Sequence, residues 1–571
     1  MKEVLVETIH KALSNLGYPS DTDLTVSYPP EKKFGDYSVS VAMSLGKSSQ
    51  TPPRKIAQEI VNEIRKSKSA EAFEKIEIVG PGFINFHLSQ KFLLENLLEI
   101  LRKKNKYGAG AKKKQDKILI EYFQPNVAKH LHVGHLRTAV IGDSLYRILK
   151  FAGYKIASES HMGDWGTQFG LLLYAYKNWG KEQVVKKDPI NELHKLYVEI
   201  NKKIEEDQSY LEKGKAEFVK LEQGDPENRR LWQKFVKWSM NEFAKTYALI
   251  DIRKPDFNWP ESFYEDKMPH VLEELKAKDL LEESEGAQIV DLTGKGLGVG
   301  LIVKSDRGTT YLLRDLATFI YRKSKGFTKQ LYVVDSRQTH TLRQTFLILE
   351  LMGKMTNPSE AVHVVYGFLS LPEGAMSTRK GTAIEPQELI DKANELAMEI
   401  IHKKNPKLKN KKKIARQVAL GAIKYFDLSH NRYSDIIFEW DKVLNFEGNT
   451  GPYLQYTHAR IQSILRKSKV KIPKTPAQDP SEKLPEELAL MRDLNRFPEV
   501  VHEAAESYYP NRICDYLYTL AGDFNAFYQT VPVLKEHDKN KLQFRLSLIY
   551  SVAQVLKNGL SLLGIEAPEE M

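Results

Sequence analysis

The spacing of apolar and polar positions changes along this chain, and each change predicts a different kind of element. Residues 1–18 repeat their apolar side chains at helical spacing, and a second helix is predicted at 53–66, opened by a proline that suits a first helical turn. The runs KIEIVG and INFHL, between Lys75 and Leu88, read as strands. Residues 117–123 (KILIEYF) predict a buried strand. A loop leads from it into a helix starting near His132, whose Val133, Leu136, Val140, Ile141, Leu145, Ile148 and Leu149 recur at helical spacing, with Gly153 placed to end it. Another strand is expected at 155–160. Strand, helix and strand in that order imply a parallel pair joined by a right-handed crossover. Further strands are expected at 330–335 and 362–371. Residues 177–285 interrupt the alternation with highly charged, mostly helical sequence. From 411 a helical pattern runs to the end, with a break at 469–485.

The fold class expected is multidomain α/β. Residues 1–110 form an N-terminal α+β domain, and 111–435 a doubly wound, Rossmann-like parallel-sheet domain carrying the insertion at about 177–285. Residues 436–571 form an all-α domain. The basic stretch 103–117, with glycines, like charges and no apolar face, reads as a linker.

Charge and cysteine content narrow the function. Lys and Arg number 85 against 74 Asp and Glu, a formal net charge of +11. Such a surplus favours polyanionic partners through counterion release, although a lysine-rich solvated surface gives the same sum. The single cysteine, Cys514, excludes an internal disulfide and a multi-cysteine zinc site, and fits a reducing compartment, the cytoplasm. No apolar run approaches the roughly 18 residues that span a bilayer, and the N-terminus lacks a signal-peptide core, so no membrane association is expected.

Two segments carry candidate chemistry. The first, Lys129-His130-Leu131-His132-Val133-Gly134-His135, opens the helix that follows strand 117–123. Ligands of doubly wound sheets bind at the carboxyl ends of strands, and a helix start there offers N–H groups to phosphates. His132 and His135 share a helix face, and Gly134 lets a nucleotide approach the backbone. Taken alone, the two histidines are more simply a helix cap or metal ligands. The second segment, Met376-Ser377-Thr378-Arg379-Lys380-Gly381, places hydroxyls beside two cations and suits a phosphate clamp. Alone it is equally a charged surface loop.

Together the two segments resemble class I aminoacyl-tRNA synthetases, whose signatures are written HIGH and KMSKS. HVGH matches with one conservative change. In the second motif Ala375 stands where the first lysine would be, and either Arg379 or Lys380 takes the part of the second; Lys129 supplies further charge. The block from Ile120 to Gly170, with GDWGTQFG at its end, narrows the resemblance to arginyl-tRNA synthetases. Tyr311-Leu-Leu-Arg-Asp315, Asp335-Ser-Arg-Gln338, GPYLQYTHARIQS and the terminal LGIEAPEEM agree with it.

That resemblance implies ATP, carried with Mg2+ and without a dedicated protein metal site, as co-substrate, no zinc, and L-arginine and tRNA(Arg) as the other partners of a monomer. It implies ATP binding by His132, Gly134, His135, Met376, Ser377 and Lys380, with His132, His135, Arg379, Lys380 and Lys129 supplying catalytic charge. Glu121, Asn126, Tyr311, Asp315 and Gln338 would hold arginine, Asp315 facing the guanidinium, as charged bidentate bonds are the strong ones. Phe83 and Asn85 would read the tRNA D-loop, and Tyr453, Arg460, Tyr528 and Met571 the anticodon. It also implies that the first step needs bound tRNA. The rivals are another class I synthetase, a nucleotidyltransferase with a related histidine box, and an RNA-binding paralogue without catalysis.

Overall fold

The computed structural model describes the chain apart from residues 20–21, 112–115, 129–130, 373, 376–383, 444, 446 and 471–482. Its centre is a five-stranded parallel sheet in the order Ala361–His363, Lys329–Tyr332, Lys117–Glu121, Lys155–Ser160, Phe257–Asn258. The first of these strands in sequence is the middle one in space. The chain leaves it on one side for Lys155–Ser160 and returns on the other at Lys329–Tyr332. The carboxyl end of Lys117–Glu121 is therefore the topological switch point, where a crevice opens. Ile118, Leu119 and Ile120 are all buried, as a strand covered on both faces requires. The helix Val133–Phe151 crosses one face and buries every apolar position expected of it. Gly142 lets it approach the sheet, because a Cβ there would lie 2.2 Å from Tyr122 Cβ. Gly153 follows the cap residue Ala152 with φ +93, as predicted.

The N-terminal α+β unit packs helices, including Lys2–Asn15 and Pro53–Ile64, on a four-stranded antiparallel sheet in which Phe83–Leu88 lies between Tyr37–Val39 and Phe73–Val79. The C-terminal unit is helical: Gly451–Ser468, Pro485–Ser507, Asn511–Thr530 and Lys539–Leu562 share a core. Among the described residues no helix is long and apolar enough to cross a membrane.

The structure corrects four expectations. The strand expected at 362–371 is two strands in different sheets: Ala361–His363 joins the parallel sheet, and Leu369–Leu371 pairs with Gly374–Ala375 and Ile436–Ile437. Between them Arg432 takes the carbonyl of Val365, and Arg137 those of Gly367 and Phe368. An apolar run does not reveal where pairing partners change. The strand at 330–335 ends at Tyr332, and Asp335 instead caps a turn, Ser336–Gln338. The insertion at 177–285 holds the long helices Pro189–Glu206, Ser209–Glu222 and Pro226–Leu249, yet it also supplies the edge strand Phe257–Asn258. Its last residues, Glu282–Ser284, start an antiparallel sheet completed by Ala287–Asp291 and Val299–Val303. In the stretch expected as a linker, the described residues around Tyr107 are docked: the buried Tyr107 ring stacks on Phe497, and its hydroxyl lies 3.0 Å from the Leu494 carbonyl. One aromatic within a lysine run leaves no periodic signal.

Candidate active site

The histidine turn sits at the switch point. His132 is the N-cap of helix Val133–Phe151, and its Nδ1 accepts the Gly134 N–H at 3.1 Å. His135 reciprocates, its Nδ1 accepting the His132 N–H at 3.2 Å. This is a capping box built from two imidazoles, whose centroids lie 3.9 Å apart. An Nδ1 that accepts leaves the ring hydrogen on Nε2, so both rings are set as neutral Nε2–H donors. Burial, with Arg337 nearby, pushes His132 below the usual histidine range and reinforces the neutral form. The plain capping reading of these residues is thus realised, and it is compatible with a phosphate role. Gly134 serves the cap directly: a Cβ there would lie 2.9 Å from the His132 ring.

The loop entering this turn is held in strained backbone. Phe123 (φ +64) and Ala128 (φ +60) are both left-handed, a conformation that costs a bulky side chain energy and clusters at functional sites. The insertion holds them there. The Phe123 ring lies 4.2 Å from the Tyr247 centroid, and Ala128 N–H donates to Ser239 Oγ.

Lys129, Met376, Ser377, Arg379 and Lys380 lie outside the described residues. Their described flanks return to the same helix. Ile384 accepts the Val133 N–H at 2.9 Å, and Gly374–Ala375 pairs with Leu369–Leu371, just past the carbonyls that Arg137 holds. Arg337 adds a cation that the sequence reading passed over. Its guanidinium forks onto Asp335 at 2.6 and 3.1 Å and lies over the Phe368 ring. Its sequence signal is a basic residue soon after a sheet strand's carboxyl end.

A nest of acids gathers near the carboxyl end of Lys117–Glu121. Glu121 is buried and ion-paired with Arg322, while Gln124 donates to its other oxygen at 2.8 Å. Burial opposes its charge, but Arg322 and His161 hold the carboxyl below its ordinary range. Asp315 is on the same helix as Arg322. Burial, with Glu121 and Glu261 as like charges, pushes it up to about 7 against the pull of His161 and Arg314. Glu261, which the sequence reading missed inside a charged stretch, is raised by burial and receives Arg314 Nη1 at 3.3 Å. Asn126 bridges to Gly163, and a Cβ on that glycine would meet Asn126 Oδ1 at 2.3 Å and Glu261 Oε1 at 3.6 Å. The GDWGTQFG stretch is therefore a hub: Gly163 seats Asn126, Asp164 accepts the Ser262 N–H and hydroxyl, and Trp165 packs edge-on to Trp232. Tyr311 is 60% exposed, and with Arg314 it lines a cleft of about 1100 Å³ between Ser209–Glu222 and the antiparallel sheet. Gln338 is exposed beyond the carboxyl end of Lys329–Tyr332, as the N-cap residue of helix Thr339–Leu351. Among the described residues no group of three or more His, Cys, Asp or Glu is placed to hold a metal ion.

This geometry has close counterparts. The family of class I (R) tRNA synthetase catalytic domains matches residues 96–440. The arginyl tRNA synthetase N-terminal domain matches 3–88, and the DALR anticodon-binding domain 454–571. An arginine–tRNA ligase of Enterococcus faecalis is 39% identical, with 100% of each chain covered. The chain belongs to the arginyl-tRNA synthetase family. Solved structures agree: the Thermus thermophilus arginyl-tRNA synthetase superposes with a TM-score of 0.85 at 30% identity, covering 100% of both chains. The Plasmodium falciparum arginyl-tRNA synthetase gives 0.84 at 26% identity, over 100% of this chain and 99% of that one.

Within the two outer domains of this arginyl-tRNA synthetase family member, the residues expected to meet RNA are placed unequally. Phe83, which the strand pattern alone would bury, is 38% exposed at the start of Phe83–Leu88. Asn85 is 3% exposed, and its Oδ1 accepts the Ser38 hydroxyl at 2.7 Å, so it sits within the sheet rather than on its surface. At the helical end the residues converge. Arg460 donates to Asn525 Oδ1 at 2.8 Å, and Asn525 donates to the Tyr453 hydroxyl at 2.8 Å. The Arg460 guanidinium lies over Tyr456 and, farther off, the exposed Tyr528. Met571 closes a small hollow with Tyr453, Tyr456 and Lys404. Asn525 and Lys404 were not foreseen, being single polar residues on otherwise ordinary helices.

Proposed function

We propose that this chain is a class I arginine–tRNA ligase: ATP, L-arginine and tRNA(Arg) give arginyl-tRNA(Arg), AMP and diphosphate. The observation that carries the reading is the carboxylate of Asp315, which has no hydrogen bond or ion pair among the described residues and is grouped with Glu261 and Glu121 near the carboxyl end of the central strand. A guanidinium is permanently charged and presents only donors, so a carboxylate such as Asp315 is its complement, while the neighbouring Glu261 already receives Arg314.

The arginine side chain lies toward Asp315, Glu261 and Tyr311, with Asn126 and Gln338 at its α-amino end. One oxygen of its carboxylate attacks the α-phosphorus of ATP, the bond to diphosphate breaks, and arginyl-adenylate forms. The 2′-hydroxyl of the terminal tRNA adenosine then attacks the acyl carbon and AMP leaves. His132 and His135 donate to phosphate oxygens through Nε2–H, and Arg379 and Lys380, with Lys129, bring positive charge to the triphosphate. Mg2+ travels with ATP as part of that substrate. Catalysis is positioning and charge stabilisation, with no covalent enzyme intermediate. Phe83 stacks on a D-loop base, and Tyr453, Arg460, Tyr528 and Met571 meet the anticodon, in line with RNA readers that stack bases on rings and hold phosphates with cations. Every proposed residue comes from one chain, so a monomer suffices. The buried Cys514 is compatible with a reducing cytoplasm.

Aminoacylation of total tRNA with each of the twenty amino acids tests the reading. Arginine alone is expected to be charged, and charging with any other amino acid, or with none, overturns it.

A further inference from the structure

Residues 402–413, HKKNPKLKNKKK, hold seven lysines, and no Asp or Glu stands between Glu399 and Asp427. The run joins helix Pro386–Lys404 to helix Lys411–Leu428. Many exposed lysines of this chain pair with acids three or four positions away, as Lys11 does with Glu7, Lys195 with Glu192 and Lys442 with Glu439. Here Glu399 alone stands at that spacing from any of the seven, and among the described residues none of them makes an ion pair. Six of them are exposed. Lys411 lies 3.4 Å from His402 Nδ1, and Lys404 lies over the Tyr456 ring.

This charge does not serve the helix it opens. Lys411, Lys412 and Lys413 form the first turn of Lys411–Leu428, beside N–H groups without a helical acceptor, where the helix dipole disfavours a cation. The cap residue Asn410 is left-handed, and its side chain makes no capping hydrogen bond. The fold nevertheless holds the turn in place. Leu408 is buried, and Asn405 Nδ2 donates to the main-chain oxygen of Met571 at 3.2 Å. Met571 in turn lines the hollow formed with Tyr453, Tyr456 and Lys404. The lysine turn therefore adjoins the residues proposed to meet the anticodon.

Resting on the arginine-ligase reading above, we propose that the turn 402–413 is a docking surface for the ribose–phosphate backbone of the tRNA anticodon stem, a row of ammonium groups that holds phosphates and reads no base. Lysine is a point charge on a flexible stem, so it follows phosphates without demanding one geometry. Bases held at Tyr453 and Met571 bring the phosphodiesters that flank them alongside the turn. Each phosphate neutralised there releases its counterion, which adds affinity without sequence preference. A lipid surface fits less well, because Leu408, the one large apolar side chain of the turn, is buried, and membrane-surface segments need an exposed apolar face. The division of labour is that the aromatic hollow selects and the turn holds.

The test compares the wild type with a turn variant, Lys403→Gln, Lys407→Gln and Lys412→Gln together. A control variant loses the same net charge elsewhere, at the exposed Lys276, Lys278 and Lys295, each changed to Gln. In the turn variant the Kd for tRNA(Arg), measured by filter binding, should rise about tenfold or more at physiological salt, and the slope of log Kd against log salt should fall by about 2. Protection of the anticodon-stem phosphates from ethylation should be lost while protection of the acceptor end stays, and KM for arginine and for ATP should match the wild type. The control variant should bind tRNA as the wild type does. An unchanged Kd, an equal rise in the control, or a stem footprint that survives in the turn variant overturns the proposal, whatever other polyanion that variant fails to bind. If the triple turn variant melts well below the wild type, Lys412→Gln alone decides, since it relieves the first helical turn. Its salt slope should fall by about 1, and an unchanged slope overturns the proposal. A wild-type enzyme that binds tRNA(Arg) yet charges none of it with arginine defeats the ligase reading and not the turn.

Discussion

The buried carboxylate of Asp315 feels two other acids, Glu121 and Glu261, and is paired to no cation among the described residues, and its titration follows from that. In the ligand-free enzyme it stands at about 7. Below that pH the carboxyl is protonated and must lose its proton before it can pair with a guanidinium. KM for arginine should therefore climb about tenfold per pH unit as pH falls below 7, and level off above it. Asp315→Asn should flatten that profile and lower kcat/KM for arginine by about a hundredfold or more, the scale for losing one partner of a charged pair. Stability moves the other way. A folded-state value above the unfolded one means that the charged carboxylate is disfavoured by the fold, a penalty present above pH 7 and absent once the pH falls below the unfolded value. Asp315→Asn should thus melt higher than the wild type at pH 8 without arginine. A pH-independent KM in the wild type would remove Asp315 from the guanidinium site. The resemblance to arginyl-tRNA synthetases singled out Asp315 together with Glu121, and the charge of arginine favoured Asp315 as the guanidinium partner. It did not separate Glu121 from it, since nothing local in KILIEYF announces that Arg322, on a distant helix, already holds that acid. Glu261 was hidden for a related reason: one more acid in a charged segment carries no periodic mark.

At the scale of elements, helix Val133–Phe151 joins stability and chemistry at its first turn. Periodicity located the helix and its end, and residue type suggested its cap, because imidazoles before an apolar stripe can accept backbone N–H groups. What remained illegible was pairing. The apolar residues at 362–371 are compatible with one strand or two, and Phe257–Asn258 is too short to register against its helical surroundings. The cap formed by His132 and the phosphate role proposed for it can be separated by substitution. Asparagine at the N-cap presents an acceptor oxygen much as Nδ1 does, so His132→Asn should melt close to the wild type while losing tRNA-supported ATP–diphosphate exchange. His132→Ala should lose both, with a stability loss of about 1 kcal/mol. Equal melting temperatures for the Asn and Ala variants would mean that the cap seen here contributes nothing measurable, and full exchange activity in His132→Asn would mean that the imidazole does not serve the phosphates.

The two ends proposed to meet RNA must be held in register, and the N-terminal unit that carries one of them is contacted by the helix Pro485–Ser507. Pro498 lies inside it and has no N–H for the Leu494 carbonyl one turn back. Tyr107, from the stretch joining the N-terminal unit to the sheet, brings its hydroxyl within 3.0 Å of that orphaned carbonyl. The next residue, Glu499, gathers the N-terminal unit itself. It accepts the Lys2 N–H at 2.8 Å and the hydroxyls of Tyr28 at 2.5 Å and Tyr37 at 2.9 Å. Burial, followed by the charge of Glu499, drives both phenols above their usual range, so they remain donors at any working pH. Glu499 thus helps to set the position of Phe83 relative to the Tyr453–Arg460 patch, alongside the ion pairs Lys2–Glu503 and Arg492–Asp36 on the same helix. Glu499→Ala leaves the hydroxyls of Tyr28 and Tyr37 and a backbone N–H without their acceptor, and each buried donor left unsatisfied costs about 1–3 kcal/mol. The variant should melt well below the wild type, with proteolysis starting in the N-terminal unit. KM for tRNA should rise while KM for arginine stays put, because the acid nest is built from other elements. Parallel tRNA and arginine titrations with a melting curve measure this. A rise in both KM values would mean that the joint supports the crevice as well, and a wild-type melt with an unchanged tRNA KM would mean that the N-terminal unit is positioned by something other than Glu499.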